Sequence, residues 1–176
     1  MTDSIKKTGF TYGIALGIVL ITITCYIHFF DLKLITNVWL GVVTLGLIVL
    51  FGILSILKTK SNLGGLITFK EAFSSFFYTI ITSSIISCLT LIILYSVIIT
   101  PETKAIIKEQ TVEFNLKIMK QINSTPAEIN AAKVSYQESD PFSVYQTISS
   151  SIKYLLRDCI IGFLVALIFR NKRTLQ

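Results

Sequence analysis

Long stretches without a formal charge constrain this chain more than any other feature. Three such runs occur, at residues 9–30, 35–57 and 72–100, and each matches the length of about 20 apolar residues that a helix needs to cross a bilayer. A soluble domain cannot bury that much apolar surface. Only 15% of the residues are charged, whereas soluble domains have about a quarter. The sequence therefore predicts an integral membrane protein.

A fourth candidate span is less apolar than the others. Residues 145–169 contain Lys153, Arg157 and Asp158, and the purely apolar part from Cys159 to Phe169 is too short to cross a bilayer by itself. We read the polar half as extending this part into a complete span. The predicted fold is all-α, a bundle of four transmembrane helices with a helical insertion between the third and fourth spans, in one domain over residues 1–176.

The distribution of lysine and arginine predicts the orientation. Four spans place eight basic residues on one side, namely Lys6, Lys7, Lys58, Lys60, Lys70, Arg170, Lys172 and Arg173. On the other side, residues 101–141 carry a net charge of −1. Because cytoplasmic segments are enriched in basic residues, we expect a multi-pass protein of the bacterial inner membrane with both termini in the cytoplasm. The formal net charge of +6 reflects this asymmetry, so no nucleic-acid surface is expected.

Residues 101–141 form the predicted periplasmic segment and contain two helix starts. Pro101 follows Thr100, and Pro126 follows Thr125 with Glu128 placed to complete a capping box. A third start is expected at Asp140-Pro141, leading into the fourth span. The first helix has an apolar stripe formed by Ala105, Val112, Leu116, Met119 and Ile122. This stripe predicts either packing on the bundle or membrane surface, or docking of a partner.

Small and hydroxyl-bearing residues recur on two of the spans. Gly9, Gly13 and Gly17 lie on one face of the first helix, where small residues allow helices to approach closely in a membrane. Their partner is either another span of this chain or a second subunit. The third span carries a face of Ser75, Thr79, Ser83, Ser87 and Thr90. Polar packing inside the bundle and the wall of a polar cavity are both open interpretations of this face.

The charged residues of the fourth span are the main candidate site. Lys153, Tyr154, Arg157 and Asp158 fall in its predicted periplasmic half. Asp158 is too short to reach the headgroups, so it needs a partner, and charged residues inside a membrane are functional candidates by default. We considered binding of an anionic headgroup and, alternatively, a structural polar cluster closed by Tyr154 or another helix.

Other residues that could carry chemistry have simpler interpretations. Thr68 and Glu71 match a capping box at the start of the third span. His28 is the only histidine and is interpreted as an interfacial residue; the three cysteines show no spacing typical of a metal site. No catalytic motif is present, and we expect no enzyme activity, no metal and no cofactor.

Several of these features resemble the Bacteroidota membrane-protein family called domain of unknown function 4199. The likeness lies in Tyr12-Gly13 with Gly17, in Leu66-Ile67-Thr68-Phe69 followed by Glu71-Ala72, and in Gly162 to Phe169 followed by a basic tail. A charged helical segment after the third span also matches. The resemblance implies a four-helix inner-membrane protein without known catalytic residues, and an association with glycosyltransferases that act on polyprenyl phosphates. The charged fourth span is a departure from the family pattern.

Two functions follow from these observations. The first is a non-enzymatic accessory or scaffold subunit of a membrane complex, with a partner or a second copy contacting the first span or the 101–141 helices. The alternative is a protein that binds or transports a lipid or small solute through a polar pocket around Arg157 and Asp158. A polar cavity between the third and fourth spans would favour the alternative.

Overall fold

The computed structural model of the protein describes residues 2–171. Within these residues the chain is all-helical, without strands, and Lys172 and Arg173 of the predicted basic tail lie outside them. The helices are α1 (Thr2–Phe30), α2 (Val38–Asn62), α3 (Phe69–Ile93), α4 (Pro101–Gln121), α5 (Pro126–Glu138) and α6 (Val144–Phe169). A short 3-10 helix, Leu32–Thr36, precedes α2, and α3 continues through a π-helical turn, Leu94–Ile98.

Three helices in the described part of the chain are long and apolar enough to cross a membrane. They are Asp3–Phe30, Val38–Asn62 and Phe69–Ile98, and they coincide with the first three predicted spans. The fourth predicted span is a continuous helix of 26 residues, α6, but it lacks the apolarity of the other three because of its charged residues. The structure thus supports membrane insertion for three helices by length and composition.

Helix α3 is the centre of the bundle, and α1, α2 and α6 each pack against it. Helix α1 runs parallel to α3, because Gly9, Gly13 and Gly17 face residues 78, 82 and 86 in that order. The bundle therefore has two ends. We call the end that holds the α2–α3 loop and the last turn of α6 the terminal end, and the end that carries α4 and α5 the insertion end.

The glycines of α1 contact α3 rather than being free for another chain. A methyl group on Gly9 would lie 2.5 Å from Tyr78 Cβ, and one on Gly13 would lie 2.6 Å from Thr82 Cβ. One on Gly17 would lie 2.8 Å from the side chain of Ile86. These distances are shorter than any van der Waals contact. Helices α1 and α3 can therefore approach this closely only because the three glycines have no side chains.

The core of the bundle is centred on Phe76 of α3. Its ring is fully buried and lies between Gly52 of α2 and Gly162 of α6, where an added methyl group would come within 2.1 Å and 2.4 Å of ring atoms. Ile56, Ile80, Val165 and Ala166 are among the buried residues of the same cluster. The interface between α3 and α6 is therefore filled in this part of the bundle.

Buried hydroxyls join α2 to α3 beside this core. Ser75 Oγ lies 2.7 Å from Ser55 Oγ and 2.8 Å from Thr59 Oγ1. Thr79 Oγ1 donates to the carbonyl oxygen of Ser75. Most of the hydroxyl face of α3 is thus polar packing inside the bundle, although Ser87 Oγ is buried without a partner in the described residues.

The sequence stretch before α3 forms a structural cap. Thr68 Oγ1 accepts a hydrogen bond from Glu71 N, and Glu71 Oε2 accepts from Thr68 N, which is the predicted capping box. Gly64 and Gly65 adopt positive φ angles of 80° and 90° in the preceding turn. Two hydrogen bonds join Ile67 to Asn171: Ile67 N donates to Asn171 Oδ1, and Asn171 N donates to the carbonyl oxygen of Ile67. The end of α6 is thereby attached to the α2–α3 loop.

Two predictions for residues 101–141 were wrong in detail. Helix α6 begins after Ser143, whose side chain accepts from Gln146 N, and Asp140 instead accepts from Phe142 N in a turn before the helix. The inward face of α4 is also shifted from the predicted stripe. Its one buried residue is Ile107, whereas Ala105 and Ile122 are exposed. The stripe was misplaced because this helix covers a partly polar cavity, so hydrophobicity did not mark its inward side.

Candidate functional site

Arg157 and Asp158 form an ion pair within α6. The guanidinium folds back over its neighbour, and Nε and one terminal nitrogen donate to Asp158 Oδ1 at 2.9 Å and 2.8 Å. The Asp158 side chain is 5% exposed, while that of Arg157 is 45% exposed. Adjacent side chains on a helix point about 100° apart, which made Arg157 an unexpected partner; its long side chain bridges this angle. Asp158 therefore has its counter-ion on the same helix.

The other two residues of the predicted site do not complete a pocket around this pair. Tyr154 is placed one turn earlier, and its ring centroid lies 5.2 Å from Arg157 Cζ in a cation–π contact. It does not hydrogen-bond to Asp158. Lys153 is exposed and makes no ion pair in the described residues. Tyr154 also lines a cavity, and the other three do not contribute to the walls of that cavity.

That cavity lies at the insertion end, and we call it the insertion cavity. Its volume is about 370 Å³, within the 300–1,000 Å³ common for small-molecule sites. Its walls come from the end of α3, the inward face of α4, the chain after α5 and the first half of α6. Lining residues with polar side chains include Tyr95, Lys108, Thr111, Asn115, Tyr136, Gln146, Thr147, Ser150, Ser151 and Tyr154. The third and fourth predicted spans thus contribute to a cavity with a mixed polar and apolar lining at the insertion end, and they pack in a filled core around Phe76.

Tyr95 connects the cavity to α1. Its hydroxyl lies 3.3 Å from Nε2 of His28, whose Nδ1 is 2.8 Å from the carbonyl oxygen of Thr24. The Tyr95 ring also meets Phe142 edge-on, with centroids 5.0 Å apart. His28 was interpreted as an interfacial residue; it is half-buried and contacts the cavity wall through Tyr95.

Lys108 holds α5 over the cavity. Its Nζ donates to the carbonyl oxygens of Gln137 and Ser139 at 2.9 Å and 2.8 Å. These carbonyls belong to the last turn of α5 and to its C-cap residue, where unpaired acceptors and the helix dipole both favour a cation. The ammonium group is therefore engaged by α5 and is less available to a ligand.

The lining favours a neutral, amphiphilic ligand. It contains hydroxyls, amides, aromatic rings and aliphatic side chains; the cation among the described lining residues is Lys108, which α5 engages, and none of them is a carboxylate. Hydroxyls and amides can both donate and accept hydrogen bonds, and aromatic rings cover apolar groups. Among residues 2–171, no cluster of three or more His, Cys, Asp or Glu side chains could hold a metal ion.

The sequence interpretation missed most of this cavity. Its α6 wall consists of Gln146, Thr147, Ser150, Ser151 and Tyr154, which recur at helical spacings of three and four. The run of three serines at 149–151 in a predicted span was the available signal. The walls from α3 and α4 could not be found in this way, because they become neighbours of α6 only in the folded chain.

Comparison with known proteins places the chain in a family. Residues 11–171 match the family model described as "Protein of unknown function (DUF4199)". No curated protein and no solved structure matches the chain.

Proposed function

The chain belongs to the DUF4199 family, whose function is unknown, and we propose that it is a non-enzymatic membrane protein that binds a small amphiphilic molecule in the insertion cavity. We further propose that α6 is a fourth span and that both termini lie on the cytoplasmic side of a bacterial inner membrane. With this orientation, the insertion cavity lies on the periplasmic side of the bundle.

The geometry of α6 supports a fourth span despite its charges. The helix has 26 residues, which at 1.5 Å per residue is enough to cross a bilayer. It packs along α3 and α2, and its Gly162 receives Phe76 in the centre of the core. Asp158 is paired with Arg157, and the partly exposed Arg157 and exposed Lys153 can extend toward the headgroups.

The insertion cavity is the observation that carries the binding proposal. The middle of the bundle is filled by Phe76 and its neighbours, and its buried hydroxyls are largely paired, so that region has no room for a ligand. At the insertion end, by contrast, polar and apolar side chains from α3 and its π-helical turn, α4, α5 and α6 surround about 370 Å³. A space lined by both polar and apolar side chains fits a molecule with one polar end and one apolar end.

Native mass spectrometry of the protein released from native membranes tests this proposal. The variant Ser150→Phe places a ring in the cavity wall, whereas Ser149→Phe changes a neighbouring residue that does not line it. Wild type and Ser149→Phe should retain a bound small molecule that Ser150→Phe loses. Retention of the same species by all three proteins, or by none of them, would contradict binding in this cavity.

Headgroup binding at Arg157 and Asp158 is a second candidate, favoured by the partly exposed guanidinium beside Tyr154. Replacing Arg157 and Asp158 together by leucine should then remove lipid phosphate that co-purifies with the protein. Unchanged lipid retention in this double variant would exclude it. Because Ser150→Phe leaves the ion pair in place, the two sites can be distinguished.

An accessory role in a membrane complex remains compatible with either ligand. The glycines of α1 are used inside the bundle, so the 101–141 helices are the better surface for a partner. Exposed apolar side chains there include Ile118, Ile122 and Val134. A polyprenyl-phosphate glycosyltransferase is the partner class that the family resemblance implies. Purification in mild detergent should recover a stoichiometric partner, and a ligand-bearing monomer alone would argue against this role.

A further inference from the structure

A second concave region lies at the terminal end of the bundle, at the opposite end from the insertion cavity. A groove of about 410 Å³ runs between the first half of α1 and the last turns of α2. We call it the lysine groove; its lining residues are Ser4, Lys7, Thr8, Thr11, Tyr12, Lys58 and Asn62. We propose that this groove binds a phosphate group, as carried by an anionic lipid headgroup or a soluble phosphate ester.

The charges of the groove favour an anion. Lys7 and Lys58 come from different helices and face the same space, and neither forms an ion pair within residues 2–171. None of the described lining residues is a carboxylate, so the two positive charges are not balanced inside the groove. Two cations held together without an acid repel each other, and a bound anion relieves this repulsion.

The neutral residues of the groove add hydrogen-bond donors. The hydroxyls of Ser4 and Tyr12 make no hydrogen bond with another described side chain or carbonyl, and Asn62 uses one amide N–H to donate to Thr8 Oγ1 at 3.4 Å. Thr11 is different, since its hydroxyl donates to the carbonyl oxygen of Lys7. A set that is rich in donors and lacks carboxylates matches the several acceptor oxygens of a phosphate.

The position of the groove fits a headgroup. Lys7 and Lys58 lie near the ends of two helices that are apolar enough to cross a membrane, and both belong to the end that the lysine distribution predicts to be cytoplasmic. Basic pockets between spans on the cytoplasmic side are typical sites for anionic headgroups. Tyr12 lies one turn deeper than Lys7, so its hydroxyl can reach a phosphate from the membrane side.

The test uses the full-length protein in nanodiscs that contain phosphatidylglycerol and phosphatidylcholine. Native mass spectrometry measures the phosphatidylglycerol retained by wild type, by Lys7→Gln/Lys58→Gln, and by Lys6→Gln/Lys60→Gln. The second variant is the matched control, because it removes the same charge from the same two helix ends outside the groove. Each lysine that contacts the bound headgroup contributes about fivefold in affinity, and Lys6 and Lys60 lie outside the groove that would hold it. We therefore expect roughly a 25-fold loss for the groove variant and little for the control.

Two further measurements identify the source of the phosphate and the role of the hydroxyl. Glycerol 3-phosphate is added as a soluble competitor, and displacement of the lipid by millimolar concentrations would assign the site to soluble esters rather than to lipids. Tyr12→Phe, which changes no charge, should weaken binding severalfold. Lys7→Arg/Lys58→Arg should restore it and shows that the glutamine variant did not simply unfold. Equal losses in the groove and control variants, or no loss in either, would overturn the proposal.

Discussion

At the scale of single residues, glycines determine how closely the helices approach α3. Gly9, Gly13 and Gly17 admit α1, while Gly52 and Gly162 leave space for the ring of Phe76. The three glycines of α1 could be recognised from their spacing. Gly52 and Gly162 are single glycines on different helices, and nothing in the sequence relates them to Phe76. Their role depends on where α2 and α6 meet α3.

Adding one methyl group to the α1 face should destabilise the bundle. In Gly13→Ala the new carbon would lie 2.6 Å from Thr82 Cβ and 2.8 Å from the carbonyl oxygen of Thr79. Overpacking of this kind costs about 1–3 kcal/mol. The control is Gly46→Ala, where nothing lies within 4 Å. Thermal denaturation in detergent should show a lower midpoint for Gly13→Ala and an unchanged or higher one for Gly46→Ala.

Replacing Arg157 should lower the stability of the protein more than replacing Asp158. Arg157→Leu leaves the nearly buried Asp158 carboxylate without its counter-ion, and breaking a buried pair in this way costs roughly 3–5 kcal/mol. Asp158→Leu leaves a guanidinium that is 45% exposed and can be solvated, so its cost should be smaller. The double leucine variant should regain most of the stability. Equal losses in the two single variants, measured by chemical denaturation in detergent, would contradict this assignment.

At the scale of the elements, side-chain caps define the helices of the 101–141 segment. Thr100 caps α4, and a capping box of Thr125 and Glu128 starts α5. These starts were predictable, because capping depends on residues three positions apart. The start of α6 was predicted at Asp140-Pro141 but lies after Ser143. Asp140 and Ser143 can both cap a helix locally, and the tertiary position of the turn decides between them. Local signals therefore set most helix ends but not all of them.

The capping box of α5 should make its first turn sensitive to acid. Hydrogen bonds from the Thr125 backbone N–H, and then from its hydroxyl, lower the pKa of Glu128 from its ordinary value of 4.5. The pKa of Glu128 is lower in the folded protein than in the unfolded chain. The carboxylate therefore stabilises the helix start fully at pH values above the ordinary pKa, and this stabilisation is lost as the pH falls through the folded pKa. The NMR shift of the Thr125 amide proton should titrate with a midpoint below 4.5. Glu128→Gln should abolish this titration, and a midpoint at or above the ordinary value would contradict the cap.

Lys108 should control how firmly α5 is held over the insertion cavity. Lys108→Met removes the donor to the Gln137 and Ser139 carbonyls while keeping the length of the side chain. Hydrogen exchange of residues 126–138 should then become faster. Lys117→Met is the control on the same helix, because Lys117 is exposed and makes no ion pair in the described residues. Equal exchange in the two variants would show that other contacts hold α5.

At the scale of the whole molecule, the two ends of the bundle have different chemistry. The insertion end holds a cavity with a mixed polar and apolar lining and one lysine, which α5 engages, and the terminal end holds a groove with two lysines. Between them lies the filled core around Phe76. Helices α1, α2 and α3 run between the two ends and are long and apolar enough to cross a membrane, so spanning by them places the ends on opposite sides. The path of α6 decides on which of these sides Arg170 lies.

Cysteine labelling in intact cells distinguishes three spans from four. Cys25, Cys88 and Cys159 are first replaced by serine or alanine, and single cysteines are introduced at Asn130 and Arg170. With four spans, a membrane-impermeant maleimide should label Asn130→Cys but not Arg170→Cys before lysis. With three spans, both positions lie on the same side and both should react. Labelling of Arg170→Cys after lysis controls for its accessibility.

The sequence by itself determined the all-helical class, three apolar spans, the caps of α3 and α5, and the glycine face of α1. Each of these depends on residues that are close along the chain, within the period of one helix or the length of one span. The tertiary structure alone decided that Arg157 pairs with Asp158, that Phe76 lies between two distant glycines, and that a cavity and a groove occupy opposite ends. The insertion cavity combines side chains from positions 35 to 154, and the lysine groove joins positions 4 to 62. Such neighbours are set by how helices pack, and packing is a property of the whole chain.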